Sequence, residues 1–194
     1  MISALRAANI CDRTVTRVLD VGCGAGASLL RFVGMGFEPS NLYGVDIMDE
    51  RIREARARLP GLKFSCADAT ALPFESNSFD LVLESTMFVQ LTDEALAQKI
   101  AAEMLRVTKK NGHLLLIDWR YSKPGSADYR GLSMQRLKRL FAVPTDSCVE
   151  FVSPGSLVPP IGRRISRSLP SLYFLLEAVF PILAGQTATL LRRL

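Results

Sequence analysis

The stretch RVLDVGCGAGASL, from Arg17 to Leu29, decides the fold of this chain. A short apolar run carrying one acid, Asp20, leads into glycines at the alternate positions Gly22, Gly24 and Gly26, and helix-forming residues follow. Glycine permits a tight turn and a close approach of a ligand to the backbone, and a helix N-terminus offers free N–H groups. A buried strand, a glycine turn and a helix start, in this order, predict a nucleotide-binding corner.

The glycine pattern alone leaves the nucleotide open. Residues 22–27, GCGAGA, satisfy the dinucleotide fingerprint G-x-G-x-x-G/A, and they also have the tighter spacing G-x-G-x-G. Asp46, at the end of the next predicted strand and 20 residues after Gly26, favours a ribose ligand. The reason is that the two oxygens of one carboxylate can accept two ribose hydroxyls. A purely structural turn is the alternative interpretation, and the acids described next argue against it.

Four acids lie at or near the ends of predicted strands: Asp20, Asp46, Asp68 and Glu84. In a parallel sheet the carboxyl ends of the strands share one edge, where ligands collect. Four acids on one edge suit a ligand with an amine, a ribose and an adenine amino group. They do not suit a phosphate-rich ligand, which favours Arg or Lys.

Strand and helix patterns alternate along the chain with short connections, which predicts right-handed crossovers and a mostly parallel sheet. The predicted strands cover residues 15–21, 41–46, 62–66, 79–84, 113–119, 147–152 and 186–191. The predicted helices cover residues 3–11, 26–34, 48–59, 93–108 (capped by Thr92 or Asp93), 129–141 and 171–180. Residues 109–112 are predicted to form a turn before the fifth strand.

The composition limits the partners of the chain. The net charge is +5 and is unevenly placed: residues 1–119 hold 13 Lys and Arg against 15 Asp and Glu, whereas residues 120–194 hold 11 against 4. Such a basic part is typical of a solvated helix face, with an anionic substrate, a membrane surface or nucleic acid as alternatives. Aromatic residues do not alternate with its arginines at regular spacing, so we do not expect nucleic-acid binding.

The four cysteines form no C-x-x-C pair and the one histidine is His113, so we expect neither a metal site nor a disulfide framework. This pattern fits a reducing cytoplasm best. Residues 1–6 are not expected to be a signal peptide, because their apolar run is too short. Residues 170–185 are interpreted as a helix packed between the last two strands, with a membrane-surface element as the alternative.

The chain resembles the class I S-adenosylmethionine-dependent methyltransferase family, of the type 11 kind. Five motifs carry this resemblance in the right order and spacing: VLDVGCGAG at 18–26, GVDI at 44–47, CADATALPF at 66–74, FDLVL at 79–83 and LRVTKKNGHLLL at 105–116. The resemblance covers residues 15–119 and implies S-adenosylmethionine as the cofactor.

The resemblance also implies a place for each part of this methyl donor. The methionine part would lie against Asp20 and the glycine loop, and the ribose on Asp46. The adenine would lie near Asp68-Ala69, with Ile47 and Leu72 as apolar walls. Whether Asp20 binds the donor's amino group or only holds the glycine loop is left open. The predicted cofactor-binding residues are Asp20, Gly22, Cys23, Gly24, Gly26, Asp46, Ile47, Asp68, Ala69 and Glu84.

We therefore predict a single domain over residues 1–194 with an α/β, Rossmann-like, doubly wound fold. Its sheet is expected to be seven-stranded and mostly parallel, with helices on both faces and the last strand antiparallel. A short N-terminal helix at 3–11 precedes a cofactor-binding core at 15–119, and residues 120–194 form the substrate side.

The methyl acceptor is less clearly marked than the donor. Glu84 and Asp118 are the candidate catalytic residues, because they follow the fourth and fifth strands, although either is equally interpreted as a structural polar residue. His113 stands at the opposite edge of the sheet and is not expected to act. The tetrapeptide N/D-P-P-Y/F of amino-methylating members is absent after the fourth strand, where residues 84–87 read ESTM. This favours methylation at oxygen or carbon of a small molecule or a cell-envelope sugar intermediate.

Two other classes of function stay open. A nicotinamide-dependent oxidoreductase uses the same glycine corner, and a methyltransferase-like subunit would bind the donor, or nothing, to support a partner. The second alternative arises because only about a dozen residues precede the first strand, where the family usually has one or two further helices that cover the substrate site. Residues 150–185, or a second subunit in a homodimer, are the alternative sources of that cover.

Overall fold

The computed structural model describes residues 1–122, 125–155 and 184–194. In these ranges it contains α1 (Ile2–Ala7), β1 (Val18–Val21), α2 (Ala27–Gly34), β2 (Leu42–Asp46), α3 (Asp49–Arg58), β3 (Lys63–Cys66), β4 (Phe79–Ser85), α4 (Glu94–Val107), β5 (Thr108–Trp119), α5 (Met134–Leu140), β6 (Ser147–Pro154) and β7 (Gln186–Arg193). The helix predicted at 171–180, and with it most of the possible membrane-surface element, lies outside the described residues. Among the helices that are described, none is both long enough and apolar enough to cross a bilayer.

The seven strands form one sheet in the order β3-β2-β1-β4-β5-β7-β6. Strands β1 to β5 are parallel, and β7 runs antiparallel between β5 and β6. This confirms the predicted seven-stranded, mostly parallel sheet with its last strand antiparallel. The strand order reverses between β1 and β4, which is where ligands bind in open sheets of this kind.

Helices cover both faces of the sheet, as predicted for a doubly wound fold. Because side chains alternate across a strand, β1 supplies Leu19 and Val21 to the core under α4 and α5, and Val18 to the core under α1, α2 and α3. All four residues of β1 are buried, which is typical of a parallel strand inside a sheet. The strand that carries Asp20 is therefore fixed from both sides.

Two elements near the N-terminus are shorter than predicted. The helix predicted at 3–11 is wrong at its end: α1 stops at Ala7, and Asn9 has a left-handed φ of 50°, which a continuing helix does not tolerate. The strand predicted at 15–21 is wrong at its start, because pairing with β2 and β4 begins at Val18. Of the residues predicted to begin this strand, Val15 lies in a turn, and residues 16 and 17 belong to no helix or strand.

The fifth strand and the helix after it also differ from the prediction. Residues 109–112 belong to β5, although its pairing with β4 shifts register there and Asn111 has a left-handed φ of 61°. Asparagine tolerates this conformation better than most residues with a Cβ. The helix predicted at 129–141 is wrong at its start, because α5 begins at Met134, directly after a serine whose side chain caps it.

Candidate functional site

The glycine turn closes against the end of β2. The N–H groups of Gly22 and Cys23 donate to one carbonyl oxygen, that of Val45, at 2.9 and 3.0 Å. The three glycines of the turn have left-handed φ values between 50° and 80°, which residues with a Cβ avoid. At Gly26, directly before α2, a Cβ would also lie 2.9 Å from the Leu59 side chain. The turn therefore requires glycine because of its left-handed backbone conformation, and at Gly26 also because a side chain would collide with Leu59.

Asp46 ties the glycine turn to the strand beside it. Its Oδ2 accepts a hydrogen bond from the N–H of Gly24 at 2.8 Å, and its Oδ1 accepts one from the N–H of Met48 at 2.9 Å. A carboxylate offers about four acceptor positions, so each oxygen retains capacity for one more donor. Two hydroxyl donors of a ribose match that remaining capacity.

A cavity of about 440 Å³ opens at the carboxyl ends of the parallel strands. Its lining includes half of the predicted cofactor-binding residues: Gly22, Asp46, Ile47, Asp68 and Ala69. The remaining lining residues are Val45, Met48, Ala67, Ser85, Thr86, Met87, Gln90, Leu91, Leu96 and Ile100. Among the described residues, two acids and no Lys or Arg line this cavity. That charge suits a neutral or cationic ligand and not a pyrophosphate.

Asp68 is exposed at the rim of the cavity and closes its own turn. Its Oδ1 accepts hydrogen bonds from the N–H and the hydroxyl of Thr70, both at 2.8 Å. These bonds hold the pKa of Asp68 below its usual range, so the carboxylate is ionised at neutral pH. The turn occupies part of the acceptor capacity of this carboxylate, which leaves room for a ligand donor.

Asp20 lies behind the cavity lining and is almost completely buried, with 1% of its surface exposed. Neither of its carboxylate oxygens has a hydrogen-bond partner among the described residues. Burial, and next the nearby charge of Asp46, raise the pKa of Asp20 to about 8. A buried acid without a partner costs stability, and a cationic group at this point would offset the cost.

Glu84 is also buried behind the lining, on β4. Its Oε2 accepts a hydrogen bond from the N–H of Met87 at 3.0 Å, whereas its Oε1 has no partner in the described part of the chain. Burial, and next the charge of Asp118, raise the pKa of Glu84 well above its usual range. Compared with an exposed glutamate, this carboxyl therefore favours its protonated form.

The other predicted residues shape the site without lining it. Cys23 is buried, and a Cβ on Gly44 of β2 would lie 2.8 Å from its Sγ. Burial raises the pKa of the Cys23 thiol, so this cysteine is not a nucleophile. Leu72, predicted as an apolar wall of the adenine site, is buried in the core under α4 and is absent from the cavity lining.

Residues 86–91, which we call the wall segment, form one side of the cavity, and none of them is among the predicted cofactor-binding residues. Thr86 has a left-handed φ of 65°, which is uncommon for a β-branched residue. Met87 after it faces the glycine turn, since a Cβ on Gly22 would lie 3.0 Å from the Met87 Sδ. No residue type in this segment predicts the turn. Its position directly after the fourth strand was the available signal.

Asp118, a catalytic candidate from the sequence, supports the wall segment from behind. It is 2% exposed, and its Oδ2 accepts a hydrogen bond from the N–H of Val89 at 2.9 Å. Burial raises the pKa of Asp118 to about 6, although the N–H groups of Trp119 and Val89 and the charge of Arg136 oppose the rise. The side chain does not line the cavity.

The N-terminal helix and His113 lie away from the cavity. α1 packs against β6 and β7 and contributes no residue to the cavity lining. His113 lies in the middle of β5, level with the start of β1, and its Nε2 is 3.0 Å from the Oε2 of Glu150. The structure thus places the histidine where the sequence predicted it, at the edge opposite the strand-end acids.

Comparison with known proteins gives one consistent result. Residues 18–112 match a family model described as a methyltransferase domain. The chain is 35% identical over 123 residues to the demethylmenaquinone methyltransferase of Renibacterium salmoninarum, covering 63% of this chain and 48% of that protein. It is 37% identical over 108 residues to the 2-methyl-6-phytyl-1,4-hydroquinone methyltransferase of a Synechocystis strain, covering 54% and 32%.

Solved structures share the whole fold at low identity. The crystal structure of an S-adenosylmethionine-dependent methyltransferase from Methanosarcina mazei matches with a TM-score of 0.67 at 19% identity, covering 95% of this chain and 94% of that one. At this identity the match shows the fold. The chain spans about half the length, or less, of the two curated relatives named above.

Proposed function

We propose that this chain, which belongs through residues 18–112 to the class I S-adenosylmethionine-dependent methyltransferase family, binds the cofactor of that family in the cavity and transfers its methyl group to a small molecule. One observation carries the proposal. The glycine turn and Asp46 are joined by a 2.8 Å hydrogen bond at a cavity that holds acids and, among the described residues, no basic side chain.

The residues present fit the donor. Its ammonium and sulfonium groups are cationic, and Asp20 is a buried carboxyl that has no partner of its own among the described residues. Asp46 would accept the ribose hydroxyls with its remaining acceptor capacity. Asp68 at the rim would accept from the adenine amino group, and Ala69 and Ile47 would supply apolar surface in the same lining.

The character of the lining supports an apolar acceptor. Met87, Leu91, Leu96 and Ile100 line one side of the cavity. The two similar proteins are named for demethylmenaquinone and for a phytyl hydroquinone. We propose a quinone-like ring or another apolar small molecule, methylated at carbon or oxygen. A sugar, the other acceptor considered from the sequence, would find few polar partners on this side.

The chain's own residues contribute alignment more than acid–base chemistry. S-adenosylmethionine, when bound, supplies a methyl group already activated on a sulfonium. Asp46 and the glycine turn would hold the donor on one side, and the wall segment, whose Met87 faces the glycine turn, would border it on the other side and exclude water. Glu84 and Asp118 do not line the cavity, so methyl transfer as proposed requires no base from them.

We propose a cytoplasmic location from the cysteines alone. Four free cysteines, at positions 11, 23, 66 and 148, fit a reducing cytoplasm. The acceptor is a small molecule, not a nucleic acid. A homodimer whose second subunit covers the cavity remains the alternative to a cover from this chain.

The proposal is tested by incubating the purified chain with methyl-labelled S-adenosylmethionine and three acceptors: an alkylated hydroquinone, a catechol and a hexose. We expect label in the hydroquinone, and about tenfold to a hundredfold less with the Asp46→Asn variant when the donor concentration is well below the dissociation constant. Binding of S-adenosylhomocysteine without transfer to any acceptor would support the binding-subunit alternative. No binding of S-adenosylhomocysteine would overturn the proposal.

A further inference from the structure

The wall segment is held mainly through its backbone. The N–H of Met87 donates to Glu84, and the N–H of Val89 donates to Asp118. The N–H of Thr86 donates to the carbonyl of Ile117 at 2.9 Å. Backbone groups held by buried side chains have one favoured position, because a displaced N–H would be left without a partner.

The carbonyl groups of the same segment converge on one guanidinium. Arg136 Nη1 donates to the carbonyl of Phe88 at 3.1 Å, and Nη2 donates to the carbonyl of Leu91 at 2.6 Å. A third bond runs from Arg136 Nη1 to the carbonyl of Arg130 at 2.6 Å, and the N–H of Arg130 in turn donates to Val89. One side chain therefore holds both ends of the stretch from Phe88 to Leu91.

Arg136 is itself fixed in place. It is 3% exposed, and its Nε is 3.0 Å from the Oε2 of Glu94 at the start of α4. The planar guanidinium fork presents its N–H donors in a fixed geometry. Once Arg136 is fixed, the carbonyl groups that accept its hydrogen bonds are therefore fixed as well. A lysine has one rotatable ammonium and cannot reproduce this fork.

We propose that Arg136 is a positioning residue of the donor site, which holds the wall segment against the glycine turn from the helix α5. The inference rests on the proposed function and deepens it. Arg136 lies beyond residues 18–112, which match the methyltransferase-domain model. Part of the donor site is thus supported from the substrate side of the chain.

Loss of a positioning residue lowers the affinity for the donor in a protein that is still folded, whereas loss of a purely structural residue lowers only the stability. Leu91 and Met87 line the cavity, while Phe88 and Val89 are buried beneath it. When the fork is removed, the wall segment moves away from the glycine turn even in a folded molecule. The affinity for the donor then falls at temperatures where the variant is still native.

The experiment compares Arg136→Met, Arg136→Lys and Arg139→Met in the full chain. Arg139 is the matched control, because it lies on the same helix 3.8 Å from the same Glu94 and is largely exposed. The dissociation constant for S-adenosylhomocysteine is measured well below each variant's thermal midpoint. We expect it to rise about tenfold or more in Arg136→Met, less in Arg136→Lys, and not in Arg139→Met.

Hydrogen exchange gives a readout that does not require a bound ligand. The amides of residues 87–91 should lose protection in Arg136→Lys, and in Arg136→Met if it folds, while those of β1 keep theirs. Unchanged protection there, or an unchanged dissociation constant in a folded Arg136 variant, would overturn the inference. If wild-type protein binds no S-adenosylhomocysteine, the proposed function fails, and exchange still decides whether Arg136 holds the wall segment.

Discussion

At the scale of single residues, Asp20 shows how a buried group can be unfavourable for folding and suited to binding. Its two oxygens have no hydrogen-bond partner in the described ranges, and its pKa is raised to about 8, mainly by burial. Stability alone would favour an apolar or amide side chain here. The proposed pairing with a cationic group of the ligand would offset the cost of burying a carboxyl here, near the end of β1 and beside the glycine turn.

The raised pKa of Asp20 predicts the sign of a pH dependence. The carboxyl titrates near 3.8 when exposed and near 8 in the folded chain, so the folded state binds more protons between these pH values. Its contribution to the free energy of unfolding therefore declines as pH rises from about 4 to about 8. Asp20→Asn should be more stable than wild type at pH 8, with a smaller difference at pH 5, in urea unfolding. An equal difference in stability between Asp20→Asn and wild type at pH 5 and pH 8 would show that the pKa of Asp20 is not raised by folding.

Asp46 makes a second prediction at the same scale. An amide in its place retains one acceptor oxygen, so it cannot accept from both Gly24 and Met48 and also from ribose hydroxyls. Losing a hydrogen bond to a charged group costs about 1.5–3 kcal/mol, or roughly tenfold to a hundredfold in affinity. Calorimetry with S-adenosylhomocysteine should show that loss in Asp46→Asn. The control is Asp49→Asn, an exposed acid paired with Arg53, which should bind like wild type.

At the scale of elements, the site depends on close packing between β2, β3 and the glycine turn. Gly44 of β2 lies where a Cβ would be 2.7 Å from the Phe64 ring and 2.8 Å from the Cys23 sulfur. Because Gly44 has no side chain, the glycine turn packs directly against β2. Asp46, two residues later, thereby comes within hydrogen-bond distance of the turn.

Gly44→Ala should therefore be destabilising through crowding and not through backbone strain. Overpacking of a close-packed interior typically costs about 1–3 kcal/mol. Gly34→Ala is the matched control, because a Cβ there would meet no atom within 4 Å and the residue lies at the end of a helix. Urea unfolding should show a loss for Gly44→Ala and none for Gly34→Ala. Equal stability of the two variants would mean that the packing around Cys23 is looser than described.

At the scale of the whole molecule, the sequence predicted what local patterns determine. The alternation of apolar runs and amphipathic segments predicted the doubly wound sheet, and the acid at the end of the second strand predicted the group beside the glycine turn. Asp46 was found this way because a strand end and an acid are both visible within a few residues. The turn predicted at residues 109–112 is wrong as an element boundary, because these residues belong to β5, although Asn111 among them has a left-handed φ of 61°.

Contacts between distant residues could not be predicted from such patterns. Arg136 meets carbonyl groups 45 and 48 residues earlier in the chain, and nothing in a helical pattern says which carbonyl an arginine will meet. The left-handed Thr86 was missed because tertiary contacts, not residue preference, impose its conformation. The early end of α1 was missed because one asparagine in an otherwise helical run did not mark it.

Calorimetric titration of the purified chain with S-adenosylhomocysteine and, separately, with NAD distinguishes a methyl-donor site from a dinucleotide site. The cavity lining, with acids and no basic side chain among the described residues, predicts binding of S-adenosylhomocysteine and none of NAD. If Asp20 pairs with the ammonium group as proposed, binding at pH 7 should also release a proton, because the pKa of Asp20 is about 8 in the free protein. Tight binding of NAD without binding of S-adenosylhomocysteine would contradict the account.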